Sequence, residues 1–255
     1  MHVEYLPHVG ADTVQRELYE LAQAGGDRLV GGVPVRAAGF YRGQRSKPGL
    51  YWMASLGRHV SYESEFERDF LIGADFDGDV VQVLPQPFRL HFGRDAAPFR
   101  HTPDFLVQRS HDGLEVVDVK GAHALQKPAV RVAFELTEHA CRVLGWAFTV
   151  YTEPDPVMRS NLSLLGGFRS PLCQPLDGYA PALVQMVDKS SLPARQVAEQ
   201  LAATEGLALP VAVAAMWRAV WMRVLHIDDL RHPLELRTRL WAIKPETPLH
   251  GRECA

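Results

Sequence analysis

Residues 101–120 read HTPDFLVQRSHDGLEVVDVK, and the reading of the whole chain turns on them. Phe105 to Gln108 is a short apolar run with strand character. His111-Asp112-Gly113 is turn chemistry, and Leu114 to Lys120 is the returning strand. A two-residue turn at Asp112-Gly113 sets Asp104 opposite Gly121, whereas a four-residue turn from Ser110 to Gly113 sets it opposite Val119. Either register brings Asp104 close to Asp118 and Lys120. Period-two alternation sends Asp118 and Lys120 out of one face of the strand.

Upstream, Ser61 to Asp75 reads as a helix. At about 100° per residue, Phe66, Phe70, Leu71 and Ala74 form one apolar stripe, and Glu63 and Glu67 fall inside it. Glu65, Arg68 and Asp69 face away. Two carboxylates on an apolar face are costly as ions unless they meet a cation, a donor or water. Glu63, near the helix start, is equally well explained as a helix-end acid. Glu67, one turn in, calls for a functional reason, so Glu67 is the first choice and Glu63 the second.

Glu67, Asp104, Asp118 and Lys120 together suit phosphodiester hydrolysis. Hard oxygen ligands hold a magnesium ion, with manganese as a substitute. Such an ion neutralises phosphoryl charge and lowers the pKa of a bound water. A neighbouring lysine orients that water or stabilises developing charge. Glu67, Asp104 and Asp118 are the expected metal ligands and Lys120 the expected catalytic cation. Taken singly, each of these charges reads as a surface ion pair.

Around this core the elements alternate. Residues 29–62 read as short strands and turns, with Gly31-Gly32, Lys47-Pro48-Gly49 and Leu50-Tyr51-Trp52-Met53. Arg36, Arg42, Arg45 and Lys47 are candidates for phosphate contact, with ordinary surface charge as the alternative. Val80 to Leu84 and Phe88 to Phe92 read as strands separated by Pro85 and Pro87. Pro128 starts a helix and Gly145 stops it, with Val130, Phe134, Thr137, Cys141 and Leu144 at helical spacing. Trp146 to Thr152 is a further strand. The order predicts a mixed α/β core.

After Glu153-Pro154-Asp155-Pro156 the chain turns mainly helical. Candidate helices are Ala182 to Val187, Ala194 to Ala202 and Val211 to Leu225, followed by a hairpin from His226 to Trp241 turning at Pro233. Three helices and a hairpin predict a winged-helix-like domain. The apolar run Val211 to Trp217, with Trp221, suits core packing or a protein partner better than DNA reading. Arg218, Arg223, Arg231, Arg237 and Arg239 are candidate phosphate contacts or surface charge. The expected division is 1–160 for the catalytic domain, with 1–28 as an extension, 161–243 for a docking domain and 244–255 for a tail.

Bulk properties narrow the function. Net charge is −3 over 255 residues, with 47% hydrophobic residues, enough for a real core. Residues 1–60 carry 7 basic and 5 acidic side chains, residues 61–155 carry 9 and 16, and residues 156–255 carry 11 and 9. The acidic middle segment repels a phosphate backbone unless cations neutralise it. Three cysteines, Cys141, Cys173 and Cys254, match neither a zinc site nor a disulfide framework, which predicts a reducing, cytoplasmic setting. Met1 to Gly10 lacks a signal-peptide pattern, and no apolar run of roughly 18 residues predicts a membrane span.

The stretches His101-Thr102-Pro103-Asp104-Phe105-Leu106-Val107 and Val116-Val117-Asp118-Val119-Lys120 resemble the PD-(D/E)XK nuclease superfamily. With Tyr62-Glu63-Ser64-Glu65-Phe66-Glu67 and Gln86-Pro87-Phe88, they look more specifically like the TnsA family, endonuclease subunits of heteromeric transposases. The resemblance covers roughly residues 30–155 well and the C-terminal region loosely. It implies a restriction-endonuclease-like mixed sheet flanked by helices. It also implies cleavage of the non-transferred strand at transposon 5′ ends, on double-stranded DNA. The implied partners are a DDE transposase like TnsB and a regulatory AAA ATPase like TnsC. The family's helix glutamate falls on Glu67, its aspartate on Asp104 and its lysine on Lys120. Some family members carry glutamine two residues before the lysine, where this chain has Asp118. Two other functions fit the same residues: a stand-alone restriction or repair nuclease, and a catalytically silent DNA-binding or adaptor subunit.

Overall fold

A computed structural model of the chain describes residues 2–9, 13–14, 17–20, 29, 32–36, 47–93, 99–111 and 113–242. Arg42, Arg45, Cys254 and the tail expected over 244–255 lie outside the described residues. The chain divides into two compact units, Met1–Pro154 and Asp155–Ala255.

The first unit runs β1 (His2–Val9), β2 (Thr13–Val14), β3 (Glu17–Glu20), β4 (Gly32–Val33), β5 (Gly49–Met53), β6 (Arg58–Tyr62), α1 (Glu65–Asp77), β7 (Val80–Pro85), β8 (Arg89–Phe92), β9 (Phe99–His101), β10 (Phe105–Arg109), β11 (Gly113–Val119), α2 (Pro128–Leu144) and β12 (Ala147–Tyr151). Its central sheet has the order β12-β11-β10-β7. The β7, β10 and β11 strands pair antiparallel, and β12 joins β11 in parallel after the α2 crossover.

Both faces of this sheet are covered, which is why its strands read as nearly continuous valine-rich runs. On one face Val83, Phe105, Val107, Val117 and Val119 pack with Phe70, Leu71 and Ala74 of α1 and with the β5–β6 hairpin. On the other, Leu84, Leu106 and Val116 pack with Ala140 and Cys141 of α2 and with Val3, Tyr5 and Leu90. The segment taken as an N-terminal extension therefore contributes core side chains. Its β1 strand pairs with β8, and β8 pairs with β9.

Three local expectations are corrected. The hairpin pairs Phe105 with Val117 and Arg109 with Gly113. Continued by one residue, that register sets Asp104 opposite Asp118, not Val119 or Gly121. Gly113 carries the positive φ of +75° that the turn needs. The first helix starts at Glu65, because Ser61 and Tyr62 belong to β6 and Ser64 is the N-cap. Asp69, expected to face water, is buried, with Arg68 at 3.5 Å. The α2 helix, in contrast, starts at Pro128 and stops at Gly145, φ +71°, as its sequence signals predict.

The second unit contains α3 (Pro156–Leu165), α4 (Ala180–Val187), β13 (Leu192–Pro193), α5 (Ala194–Glu205), α6 (Leu209–Trp221), β14 (Leu225–His226) and β15 (Arg239–Ala242). The α3 helix lies outside the candidate helices expected after Pro156. Asp155 caps it, accepting hydrogen bonds from the Val157 and Met158 N–H groups. The three strands form an antiparallel sheet of order β13-β15-β14. The α6 helix ends at Trp221, short of Leu225, and Arg223 follows at φ +58°. Trp217, Arg218 and Trp221 are buried, which accords with core packing for these three side chains. Among the described residues no single helix is long and apolar enough to cross a membrane.

Candidate active site

The end of the central sheet gathers charge because two short segments meet there. Pro103 and Asp104 lead into β10, and Lys120 follows directly on β11. The Asp104 carboxylate bridges them. Its Oδ2 accepts from the Val119 N–H at 2.7 Å and from Lys120 Nζ at 3.2 Å. The Lys120 ammonium also donates to the Val119 carbonyl at 3.0 Å. The Lys120 N–H in turn reaches the Tyr151 carbonyl at 2.9 Å, tying the segment to β12.

Glu67 comes from the first turn of α1. Ser64 Oγ accepts from the Glu67 N–H at 3.2 Å and donates to Glu67 Oε1 at 2.9 Å. Glu67 Oε2 accepts from the Glu63 N–H at 2.7 Å. This is a capping-box arrangement, signalled in the sequence by Ser64-x-x-Glu67. The helix-end role offered for Glu63 therefore belongs to Glu67. Glu63 lies before the helix and pairs with Arg36 at 2.7 Å. Lys47 pairs with Glu65 at 3.2 Å.

Capping does not exhaust Glu67. Burial, and after it the charge of Asp104, pushes its carboxyl up to about 7, despite the hydrogen bonds from Glu63 and Ser64. Asp104 is raised too: burial and the Asp118 charge outweigh the opposing Lys120 ammonium. Burial alone would lower Lys120, but Asp104 and Asp118 reverse this and hold it above its ordinary value, so it stays a cation.

Asp118 is the most buried of the four, with 0% exposure. By alternation it shares the face of Val116, toward α2, whereas Glu67 rides α1 on the opposite face. Its Oδ2 is 2.8 Å from His101 Nε2, and its Oδ1 has no hydrogen-bond partner among the described residues. The Asp118 charge is felt across that face by Cys141, whose thiol burial, first of all, pushes up to about 12. Cys141 is therefore an inert core thiol.

The structure thus joins Asp104 to Lys120 directly and to Glu67 through their charges. It ties Asp118 to His101, a residue to which the sequence assigned no role. The imidazole three positions before Asp104 was the available signal. Among the described residues, no three His, Cys, Asp or Glu side chains stand together as a metal-binding group. The donor chemistry still fits a hard cation. Two carboxyls are held above their ordinary range, and a third has a buried oxygen without a partner, which are the conditions a divalent ion relieves.

Arg218, a candidate phosphate contact, is buried. Its Nε and Nη2 donate to Asp177 at 2.8 and 3.1 Å, and its Nη1 donates to the Phe168 carbonyl at 2.8 Å. Arg231 pairs with Asp229 at 3.0 Å. No protein-family model matches the chain, and no curated protein matches it.

Proposed function

We propose that this chain is a metal-dependent endodeoxyribonuclease, the DNA-cleaving subunit of a heteromeric transposase acting on the non-transferred strand at transposon 5′ ends. The observation that carries the hydrolytic reading is the Asp104–Lys120 pair at 3.2 Å beside a Glu67 carboxyl raised to about 7. Strongly shifted groups converging at one strand end are a mark of chemistry more often than of stability. The transposase reading rests on the resemblance of residues 62–67 and 86–88, taken with 101–107 and 116–120, to the TnsA family. The four-stranded mixed sheet between α1 and α2 supports a restriction-endonuclease-like fold. The second unit's order α4, β13, α5, α6, β14, β15 supports a winged-helix-like domain.

Glu67, Asp104 and Asp118 would hold a magnesium or manganese ion. When bound, it supplies charge neutralisation at the phosphoryl oxygens and acidifies a water. Lys120, fixed as a cation by its carboxylate neighbours, orients the attacking water or stabilises negative charge developing on the phosphate. The Val119 N–H holds Asp104 in register with Lys120, so substrate entry does not need to build that pair. The acidic excess of residues 61–155 favours delivery to DNA by partners, a DDE transposase and an AAA ATPase, over solitary binding.

One observation favours a second reading, the catalytically silent adaptor: no three-donor group stands together among the described residues. A cleavage assay decides between them. Purified protein with its transposase partner is given transposon-end duplex with Mg²⁺ or Mn²⁺. The endonuclease reading expects cation-dependent strand cleavage that disappears in Asp104→Ala and Lys120→Ala. Assembly with the partner but no cleavage would establish the adaptor. Full activity in either variant would overturn the site, and efficient cutting of plain duplex by the chain alone would overturn the partner-dependent reading.

A further inference from the structure

Asp118 poses a problem that the candidate chemistry does not solve. A fully buried carboxylate needs its oxygens matched by donors or a cation. One oxygen is matched, by His101 Nε2 at 2.8 Å, and the other has no partner among the described residues. His101 is itself held. It ends β9, where it pairs with Leu90 of β8, and its ring lies edge-on to Phe134 of α2 with 6.2 Å between centroids. Thr102 and Pro103 alone separate it from Asp104. One short segment therefore grips both charges of Asp118-Val119-Lys120: His101 takes Asp118, and Asp104 takes Lys120.

We propose that His101 is a positioning residue for the metal site: it holds Asp118 Oδ2 and thereby leaves Oδ1 as the oxygen presented to a divalent cation. This inference rests on the metal-site reading above. A carboxylate can turn about its Cβ–Cγ bond, and a fixed donor on one oxygen removes that freedom before the ion arrives. Donors behind metal ligands act in this way, and their loss typically lowers metal affinity about 10–100-fold.

Calorimetric titration of the full chain with Mn²⁺ tests the proposal without reference to activity. His101→Phe keeps an aromatic ring for Phe134 but removes the donor. It is expected to bind Mn²⁺ about 10–100-fold more weakly than the wild type. His101→Gln places an amide nitrogen near the position of Nε2 and is expected to restore most of that loss. Asp118→Asn weakens binding by itself, and adding His101→Phe to it is expected to change nothing further, because the donor then has no ligand to orient. Where His101→Phe does not fold, His101→Asn takes its place. Its shorter amide does not reach Asp118, and the same loss is expected.

Thermal midpoints separate a structural role from a positioning one: a purely structural His101 lowers the midpoint and leaves the Mn²⁺ affinity of the folded protein unchanged. Wild-type affinity in folded His101→Phe, or an equal loss in the Asp118→Asn background, would overturn the proposal and leave the metal site standing. No Mn²⁺ binding by the wild type would overturn the metal reading, and this inference with it.

Discussion

Asp118 in the first unit and Arg218 in the second are both buried charges, and their surroundings treat them oppositely. Arg218 is saturated: three of its nitrogens donate, two to Asp177 and one to the Phe168 carbonyl. Asp118 has one oxygen engaged and one without a partner among the described residues. Asp75 behaves like Arg218, accepting from the Tyr51 hydroxyl and from the Ala54 and Ser55 N–H groups. A saturated buried charge clamps structure, since its desolvation is offset within the fold. An unsaturated one carries a cost that the fold does not recover internally. The difference separates buried charges that the fold satisfies by itself from one left partly unmatched among the described residues.

Removing each kind of charge should have opposite signatures, and the largest effect is expected in activity. Asp104→Ala or Lys120→Ala should lower strand cleavage by about 10²–10³-fold, the loss typical for one preorganised electrostatic group, while leaving the fold intact. Cleavage rates read beside thermal midpoints check this. A collapse of the midpoint would move the pair into the Arg218 class.

Asp177→Ala should show the reverse. It leaves a buried guanidinium without its carboxylate, and denaturant unfolding should report a loss of about 3 kcal/mol. The figure sits at the low end of the range because Asp177 itself is 42% exposed. An unchanged unfolding midpoint would mean that saturation is not what makes Arg218 structural.

Glu67 sharpens the comparison because it is both cap and candidate ligand. Its folded carboxyl lies near 7, above the ordinary 4.5. Between those values the native protein keeps a proton that the unfolded chain has released. Stability contributed here is therefore full below about 4.5 and lost as pH rises toward about 7. The loss is up to about 3 kcal/mol. Glu67→Gln keeps an acceptor for the Glu63 N–H and removes the charge. In EDTA its unfolding free energy should decline less steeply over that window than the wild type's. Equal slopes would assign the raised carboxyl to another group.

Gly121→Ala tests the smallest margin. An added Cβ would meet Glu153 Oε1 at 2.9 Å and Phe66 Cε2 at 3.4 Å, next to Lys120. Glu153 also accepts from the Ala122 N–H at 2.8 Å, which limits its retreat. A destabilisation of about 1 kcal/mol, at the low end for overpacking, is expected in unfolding experiments. No change would show that Glu153 moves freely.

The sequence by itself determined what periodicity and punctuation control. Alternating and valine-rich runs marked β7, β10 and β11, and Pro128 and Gly145 bounded α2, because these signals act within a few residues of where they stand. The approach of Asp104 to Lys120 was also legible, since any hairpin between them brings the two ends together. Glu67 stood out as an acid on an apolar stripe, and the Ser64-x-x-Glu67 spacing also signals its capping role.

Tertiary structure alone decided the rest. Hairpin register depended on which residues the two packed faces would accept, so Asp104 came to stand across from Asp118. The pairing of Asp118 with His101 required β9 to lie beside β8, and that of Glu63 with Arg36 joined residues 27 apart. The buried state of Arg218 depended on Asp177 and Phe168, both far from it along the chain. Local sequence fixes an element's shape, whereas the partner that satisfies a buried charge is set only when distant segments pack.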